Sequence, residues 1–387
     1  MLQLFDTAYR LIEKCEFIII KIMRYISIIC VLLVFISLNA QELTVTQHLE
    51  DFDLVVQQVE GNYAGFSSKV TNATDSSYQA HKADLRNQVE LGKRDGADAA
   101  AEYVAWFADN HLYMFNNGYN MSQQYLPARK ELTDHLNMDY HPKKLADKVT
   151  DKTFLIRFPS CQGYDPNMEW IEESIKLYLQ SGCANLIIDL RGNSGGQDQF
   201  YEPYLKLLYD HPGLTEGAEF YNTVENREAF EQLSQMNGNP EWLESRLKKC
   251  RESANGSFVL FGDSLITIEY DSIYEKPIKA AIIIDKYVMS SGEQMLLEVQ
   301  ATSNRVTIYG RDNTMGCLDF SNVRPAAELP NGKGTLAIPT TRSCRLSNKG
   351  IDETGIQPDV RITLPLPQSL SDNLDDWVIW VAAELEK

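Results

Sequence analysis

The sequence predicts an α/β fold in which a mostly parallel sheet follows a small helical N-terminal domain. Two observations carry this prediction. From residue 151 onward, short apolar segments alternate with amphipathic helical ones, an order typical of parallel sheets. Ahead of residue 116, apolar residues recur at intervals of three and four, which indicates helices packed on one side. A chain of 387 residues is long enough for both parts.

The helical part is predicted over 41–115. Apolar residues recur with helical spacing across 49–59 and again across 97–107. Periodicity is weak over 116–150, so we predict a connector there. The α/β core is then predicted to occupy 151–387.

Segments of the core are assigned by length and by the spacing of their apolar residues. Strands are predicted at 153–157, 185–190, 280–284 and 305–309, with a hairpin at 257–270. Helices are predicted at 168–179, 200–209, 225–252 and 292–299. The strand at 185–190 carries consecutive apolar residues, as expected when both faces of a sheet are covered. Ligands bind at the carboxyl ends of such strands, where two distinctive turns follow.

The first forty residues resemble an export signal rather than part of the fold. We expect 23–40 to be a signal peptide cleaved after Ala40, with 1–22 as an upstream extension. Its apolar stretch, 26–36, is shorter than the roughly twenty residues of a membrane span. An uncleaved anchor is the alternative. Cleavage would place the protein in the periplasm or outside the cell, without membrane contact.

Charge and cysteine content exclude several classes of function. The net charge of −18 repels phosphate backbones, so we expect no nucleic-acid partner. Five cysteines follow the leader without any C-x-x-C spacing, so we expect no disulfide framework, metal site or cofactor. An oxidising compartment would allow one bridge, with Cys317 and Cys344 as the pair.

Ser290 stands where a strand leads directly into a helix, in the segment Val-Met-Ser-Ser-Gly-Glu. The first amides of a helix have no partner within it, and the helix dipole favours negative charge there. A hydroxyl at this junction is suited to attack a carbonyl, because those amides can stabilise the resulting oxyanion. The alternative is a helix N-cap, a position that serine also prefers.

A glycine-rich turn, 192–196, follows the buried strand at 185–190. Glycines let backbone amides approach a ligand closely. They could hold a phosphate, although no P-loop or dinucleotide motif accompanies them. They could also donate hydrogen bonds to an oxyanion, or form only a tight strand-to-helix turn.

A serine nucleophile needs a base, and the sequence contains six histidines. His111 is distinguished by its position in a strongly apolar stretch, directly after Asp109 and Asn110. The alternative for His111 is a hydrogen-bonded histidine of the core. His211, beside Pro212, is read as a residue at a helix end.

These segments, taken in order, resemble the tail-specific (C-terminal processing) and tricorn-core serine peptidases. The stretch 185–196 is similar to that family's strand-plus-glycine motif, and 290–293 to its S-A-x-E nucleophile motif. The stretch 305–316 resembles the next strand and its T-x-G turn, and 355–359 matches the closing G-[IV]-x-P-D. Asp-Asn-His at 109–111 resembles the D-x-H segment. The resemblance implies a crotonase-like core with Ser290 as nucleophile.

The resemblance also indicates which base is used. Tail-specific members pair the serine with a lysine just after the T-x-G turn. This chain has Cys317 at that place, and no lysine between Lys286 and Lys333. The tricorn-like branch uses a histidine, so the resemblance implies His111 as the base. In that branch an acidic residue shortly before G-[IV]-x-P-D supports the histidine.

Two residues fit the acid, Asp352 and Glu353, with the spacing favouring Asp352. Asn110 stands where tricorn has a serine beside the histidine, which implies a supporting role for it. The resemblance further implies an oxyanion hole formed by the backbone amides of Ser291 and of Gly195 or Gly196.

The function implied is that of an exported serine endopeptidase acting on peptide or protein substrates. About forty residues between His111 and residue 151 are too few for a PDZ-like insertion, so we expect none. One alternative is a catalytically silent member that binds peptides or another ligand. A second is acyl-thioester chemistry on the same type of core, against which the export signal argues.

Overall fold

The structure, a computed structural model, describes residues 42–126, 140–347, 349–367, 369–371 and 373–387. The predicted leader and its cleavage site fall outside these ranges. Within them, no helix is long and apolar enough to cross a bilayer. The elements are numbered below in chain order.

The helices and strands of the two main layers follow the order expected of an α/β protein, and the predicted class is confirmed. Helices span Val45–Asn62 (α1), Phe66–Lys69 (α2), Asp75–Glu90 (α3), Gly96–Ala105 (α4), Met168–Gln180 (α5), Glu202–Leu208 (α6), Val224–Met236 (α7), Glu241–Glu252 (α8), Ser291–Thr302 (α9) and Asp376–Leu385 (α10). Strands span Tyr113–Asn116 (β1), Tyr119–Asn120 (β2), Leu145–Lys148 (β3), Thr153–Arg157 (β4), Asn185–Asp189 (β5), Gly213–Glu216 (β6), Ala218–Asn222 (β7), Ser257–Leu260 (β8), Leu265–Ile268 (β9), Lys279–Ile284 (β10), Val306–Gly310 (β11), Phe320–Glu328 (β12), Thr335–Ser343 (β13) and Val360–Arg361 (β14).

The first sheet has the order β14-β11-β10-β5-β4-β3. All neighbours from β14 to β4 are parallel, and β3 pairs antiparallel with β4 at the edge. Helix α5 connects β4 to β5, and helix α9 connects β10 to β11, as crossovers between parallel strands require. The carboxyl ends of β5 and β10 therefore lie side by side.

Both faces of this sheet are buried, which explains the consecutive apolar residues of its strands. Leu186 and Ile188 of β5 face one core, where they pack with Ile282 of β10. Ile187, between them, faces the opposite core with Trp377 of helix α10. Alternate side chains of one strand thus fill two separate layers.

A buried ion network closes the carboxyl end of β4 and β5. Asp189 accepts hydrogen bonds from Arg157 (2.7 Å) and from Arg191 (2.8 Å). Both arginines also bind Asp375, the residue that caps helix α10. Burial alone would raise the pKa of Asp189, but the two arginine charges outweigh it and lower that pKa to about 2. The network anchors the strand that delivers the glycine turn.

The second sheet is antiparallel, with the order β2-β1-β13-β7-β8, and β12 also pairs with β13. The N-terminal helices pack on this sheet. Phe52 and Tyr103 share a core with Leu336 and Ile338 of β13 and with Phe320 of β12. The predicted helices at 41–115 are therefore present, but they do not enclose a core of their own.

Three predicted segments differ from the structure. The helix predicted at 225–252 is divided into α7 and α8 by a turn at 237–240, which ends in Pro240. The connector at 116–150 contains β3, whose Ala146 and Asp147 pair with Ile156 and Leu155 of the first sheet. The hairpin at 257–270 is wrong, because β8 pairs with β7 and β9 pairs with β6. Pairing β8 with β7 buries Val259 and Phe220 in one cluster, whereas β9 is largely exposed.

Candidate active site

Ser290 lies at the N-terminus of helix α9, after the loop that leaves β10. Its φ of +55° and ψ of −124° lie outside the regions that L-residues normally adopt. Such a conformation costs about 1–3 kcal/mol and persists only where neighbouring contacts hold it. The Ser290 amide is held twice, by the Cys317 carbonyl at 3.0 Å and by Glu293 Oε2 at 3.1 Å.

Glu293 ties the serine turn to the turn after β11. The side chain is fully buried. Besides the Ser290 amide, its carboxylate accepts hydrogen bonds from the Thr314 hydroxyl (2.5 Å) and from the amides of Gly316 (2.7 Å) and Cys317 (2.9 Å). Burial raises the pKa of Glu293, and these hydrogen bonds oppose that shift. The glutamate of the nucleophile motif thus holds the backbone around Ser290.

His111 contacts the serine directly. Its Nε2 lies 3.1 Å from Ser290 Oγ, and its Nδ1 lies 2.6 Å from the carbonyl oxygen of Phe320. A carbonyl oxygen can only accept, so Nδ1 carries the proton and Nε2 presents its lone pair to the serine hydroxyl. This is the tautomer that a general base requires.

The second sheet brings His111 to the serine. The histidine lies two residues before β1, and Tyr113 of β1 pairs with Ala337 of β13. On the other side of β13 lies β12, which begins at Phe320, the residue that accepts from the imidazole. The Asp109 carboxylate also accepts the His111 amide at 2.8 Å. Strand pairing and this turn together orient the ring.

The two predicted acids occupy different environments. Asp352 is part-buried, and its Oδ1 accepts the amides of Leu318 and Asp319, both at 2.8 Å. Its Oδ2 is buried and has no hydrogen-bond partner among the described residues. Burial, then the charges of Asp109 and Asp319, raise the pKa of Asp352 to about 8.

Glu353, in contrast, points to the surface. It has a φ of +71°, and its side chain is 59% exposed. Its carboxylate forms an ion pair with Lys69 at 2.8 Å. Of the two neighbours, Asp352 is therefore the one directed into the site. Asn110 is half-buried in the turn ahead of His111, and its supporting role stays a prediction.

Asp109 is a site residue that sequence reasoning did not single out. It is 2% exposed, and it accepts the Tyr63 hydroxyl at 2.7 Å as well as the His111 amide. One carboxylate oxygen of Asp109, a ring nitrogen of His111 and the Cys317 sulfur all lie within 4.8 Å of one another. The available signal was the position of Asp109, two residues before the predicted base.

The glycine turn lies against Ser290. A Cβ on Gly195 would come within 2.6 Å of Ser290 Cβ, and its φ is +87°, so this position requires glycine. The Gly195 amide donates to Asn193 Oδ1 at 2.9 Å. Among the described residues, the amides of Ser291 and Gly196 form no hydrogen bond. These two amides are therefore the available donors for an oxyanion, whereas Gly195 shapes the turn.

Cys317 lies in the turn beside Ser290 and donates its backbone amide to Glu293. It is 1% exposed. The bridge to Cys344 is not formed, since both thiols are outside any disulfide. Cys344 instead lies half-buried at the end of β13.

Comparison with known proteins shows which protein family this chain matches. Residues 152–362 match the sequence model described as Peptidase family S41. None of the curated protein sequences matches the chain significantly. His111 and Asp109 lie ahead of the matched span, whereas the glycine turn, Ser290 and the G-I-x-P-D segment lie within it.

Several solved structures share the fold. Mature CPAF has 11% sequence identity and a TM-score of 0.59, over 89% of this chain and 96% of that one. Its complex with lactacystin has the same identity and TM-score, over 88% and 97%.

A third similar structure is that of a protein from Parabacteroides merdae ATCC 43184. It has 14% identity and a TM-score of 0.53, over 87% of this chain and 96% of that one. The matched sequence span covers more than half of the 387 residues and contains four of the five predicted motif segments. The predicted resemblance is thereby confirmed, and the chain belongs to peptidase family S41.

Proposed function

We propose that this chain is an exported serine endopeptidase of the tricorn-like type, in which Ser290 is the nucleophile and His111 the base. One observation carries the proposal, namely the 3.1 Å contact between Ser290 Oγ and His111 Nε2. The hydrogen bond from Nδ1 to the Phe320 carbonyl supports it, because that bond leaves Nε2 as the acceptor.

The reaction proceeds by acyl transfer. His111 Nε2 takes the hydroxyl proton while Ser290 Oγ bonds to the peptide carbonyl carbon. The amides of Ser291 and Gly196 stabilise the oxyanion. The imidazolium then protonates the leaving amine as the C–N bond breaks. Water, deprotonated by the same imidazole, releases the acyl group and restores the serine.

The imidazolium formed in this step needs a negative charge near it. Asp109 supplies that charge, because its carboxylate lies within 4.8 Å of a ring nitrogen and holds the backbone of His111. Asp352, the acid expected from the family pattern, acts as a positioning residue. It holds the amides of Leu318 and Asp319, the two residues before the carbonyl that accepts from Nδ1.

The proposal also includes a crotonase-like core and export of the protein. The parallel strands that carry Gly196 and Ser290 at their carboxyl ends support a crotonase-like core. The TM-score to mature CPAF supports the same overall architecture. Export rests on the sequence of the leader, and a peptide or protein substrate follows from peptidase chemistry.

Labelling with a fluorophosphonate probe tests the proposal. The wild-type protein should be labelled, Ser290→Ala should not be, and His111→Gln should be labelled at least about a hundredfold more slowly. Ser264→Ala changes an exposed serine on another loop and should label like the wild type. Absence of wild-type labelling would instead favour a silent, peptide-binding member. Equal labelling of Ser290→Ala would show that the nucleophile lies elsewhere.

A further inference from the structure

Three side chains, from two segments that are far apart in sequence, converge beside the proposed nucleophile. They are Asp109, His111 and Cys317, and their donor atoms all lie within 4.8 Å of one another. Within the described ranges, this is the one group of three such residues close enough to share a metal ion. A carboxylate oxygen, an imidazole nitrogen and a thiolate sulfur are the three donor types that Zn²⁺ accepts in proteins.

Burial makes this group different from a patch of acidic surface residues. Asp109 and Cys317 are 2% and 1% exposed, so their donor atoms have little water to lose when a metal binds. Zinc ligands lie about 2.0–2.3 Å from the ion, which puts tetrahedral donors about 3.3–3.8 Å apart. From a spacing of up to 4.8 Å, the donors need to approach one another by about 1.5 Å at most, which side-chain rotation can provide.

The donor set also selects among metals. A thiolate is a soft ligand, whereas Mg²⁺ and Ca²⁺ require six or more oxygen ligands. Cys317 also brings no positive charge that would repel a cation, as a lysine at this place would. With Cys317 there, the site can lose a thiol proton and gain a metal ligand.

We propose that Asp109, His111 and Cys317 form a Zn²⁺ site whose occupancy blocks the activation of Ser290. The blocking part rests on the peptidase function proposed above. If Zn²⁺ binds Nε2, it takes the lone pair that Ser290 needs. If it binds Nδ1, the ring proton moves to Nε2, which can then only donate. Metal binding at either nitrogen therefore removes the base, and the Cys317 proton is released to solvent.

Cobalt binding tests the site without reference to activity. Titration of Co²⁺ into the full chain carrying Ser290→Ala should give a thiolate-to-metal charge-transfer band at one ion per chain. Adding Cys317→Ser should abolish the band and weaken binding at least about tenfold. Adding Cys344→Ser instead removes a half-buried thiol outside the site, and it should leave the charge-transfer band and the Co²⁺ affinity unchanged. If Cys317→Ser folds poorly, His111→Ala serves as a second test, because it should also weaken Co²⁺ binding.

The inhibitory part is measured on the protein with its serine intact. Zn²⁺ should slow fluorophosphonate labelling of the wild type and of Cys344→Ser at least about tenfold, and a chelator should restore it. A charge-transfer band that survives Cys317→Ser, or no band at all, overturns the site. A band with no effect of Zn²⁺ on labelling overturns the inhibition. A protein that binds Co²⁺ but is never labelled refutes the peptidase function and leaves the site standing.

Discussion

At the residue scale, the site depends on a few buried polar atoms that hold backbone rather than substrate. Glu293 accepts four hydrogen bonds, among them that of the strained Ser290 amide. Asp352 holds two amides just before the carbonyl that orients His111. Their effect is to fix where Ser290 and His111 meet.

The role of Glu293 can be tested by an isosteric change. Glu293→Gln turns one acceptor oxygen into a donor that faces two other donors, so the free energy of unfolding should fall by about 2–4 kcal/mol. Labelling of Ser290 should slow as well, because its turn is no longer held. Glu172→Gln, an exposed position on α5, should change the unfolding free energy by at most about 0.5 kcal/mol. The free energies are measured by denaturant unfolding. An unchanged value for Glu293→Gln would contradict this role.

At the scale of elements, buried ion pairs connect the carboxyl ends of β4 and β5 to the start of helix α10. Asp189 and Asp375 share Arg157 and Arg191, and all four side chains are buried or nearly so. Removal of one partner from such a network leaves an uncompensated buried charge. The glycine turn begins directly after Arg191, so the network also determines where that turn starts.

We expect Asp189→Asn to lower the free energy of unfolding by about 3–5 kcal/mol. The pKa of Asp189 is about 2 in the folded protein, below its ordinary value of about 3.9. Because this pKa is lowered in the folded protein, the ionised Asp189 carboxylate contributes its full stability above about pH 4. That contribution is lost as the pH falls through 2 and the carboxylate is protonated.

Unfolding measured from pH 5 to about 2 should therefore show a steeper loss of stability in the wild type than in the variant. Asp271→Asn, at an exposed position, should follow the wild-type curve. Parallel curves for the wild type and Asp189→Asn would contradict the assignment.

At the scale of the whole molecule, the N-terminal helices and the antiparallel sheet share one core. Phe52 of α1 packs with residues of β12 and β13 that lie almost three hundred positions later in the chain. His111 follows α4 and precedes β1, so it belongs to this shared layer, while Ser290 lies at the start of helix α9, after strand β10 of the parallel sheet. The site lies where the two layers meet.

This shared core predicts a single cooperative unfolding transition for the full chain. Phe52→Ala should lower the midpoint of that one transition, with a loss of about 3–5 kcal/mol, rather than unfold the helices separately. Leu91→Ala, at a position that is 57% exposed, is the control and should have little effect. Calorimetry that resolves two independent transitions would contradict the shared core.

The sequence by itself determined the features that depend on neighbouring residues. The strand at 153–157 matches β4, and the runs at 185–190 and 280–284 overlap β5 and β10, because consecutive apolar residues mark strands buried on both faces. Ser290 and the glycine turn were found from their places after such strands. The apolar segment distinguishes His111 among the six histidines, but its role as base follows from the resemblance, since no local pattern shows what a histidine contacts.

Only the tertiary structure decided the partners of those residues. The pairing of β1 with β13 joins segments more than two hundred residues apart, and it brings the Phe320 carbonyl to His111. The same folding places Asp109 and Cys317 beside the imidazole and turns Glu353 outward to Lys69. Local periodicity predicts which face of a helix or strand is buried, but not which other element covers that face. The contacts of this site join residues from different elements, so only the tertiary structure could reveal them.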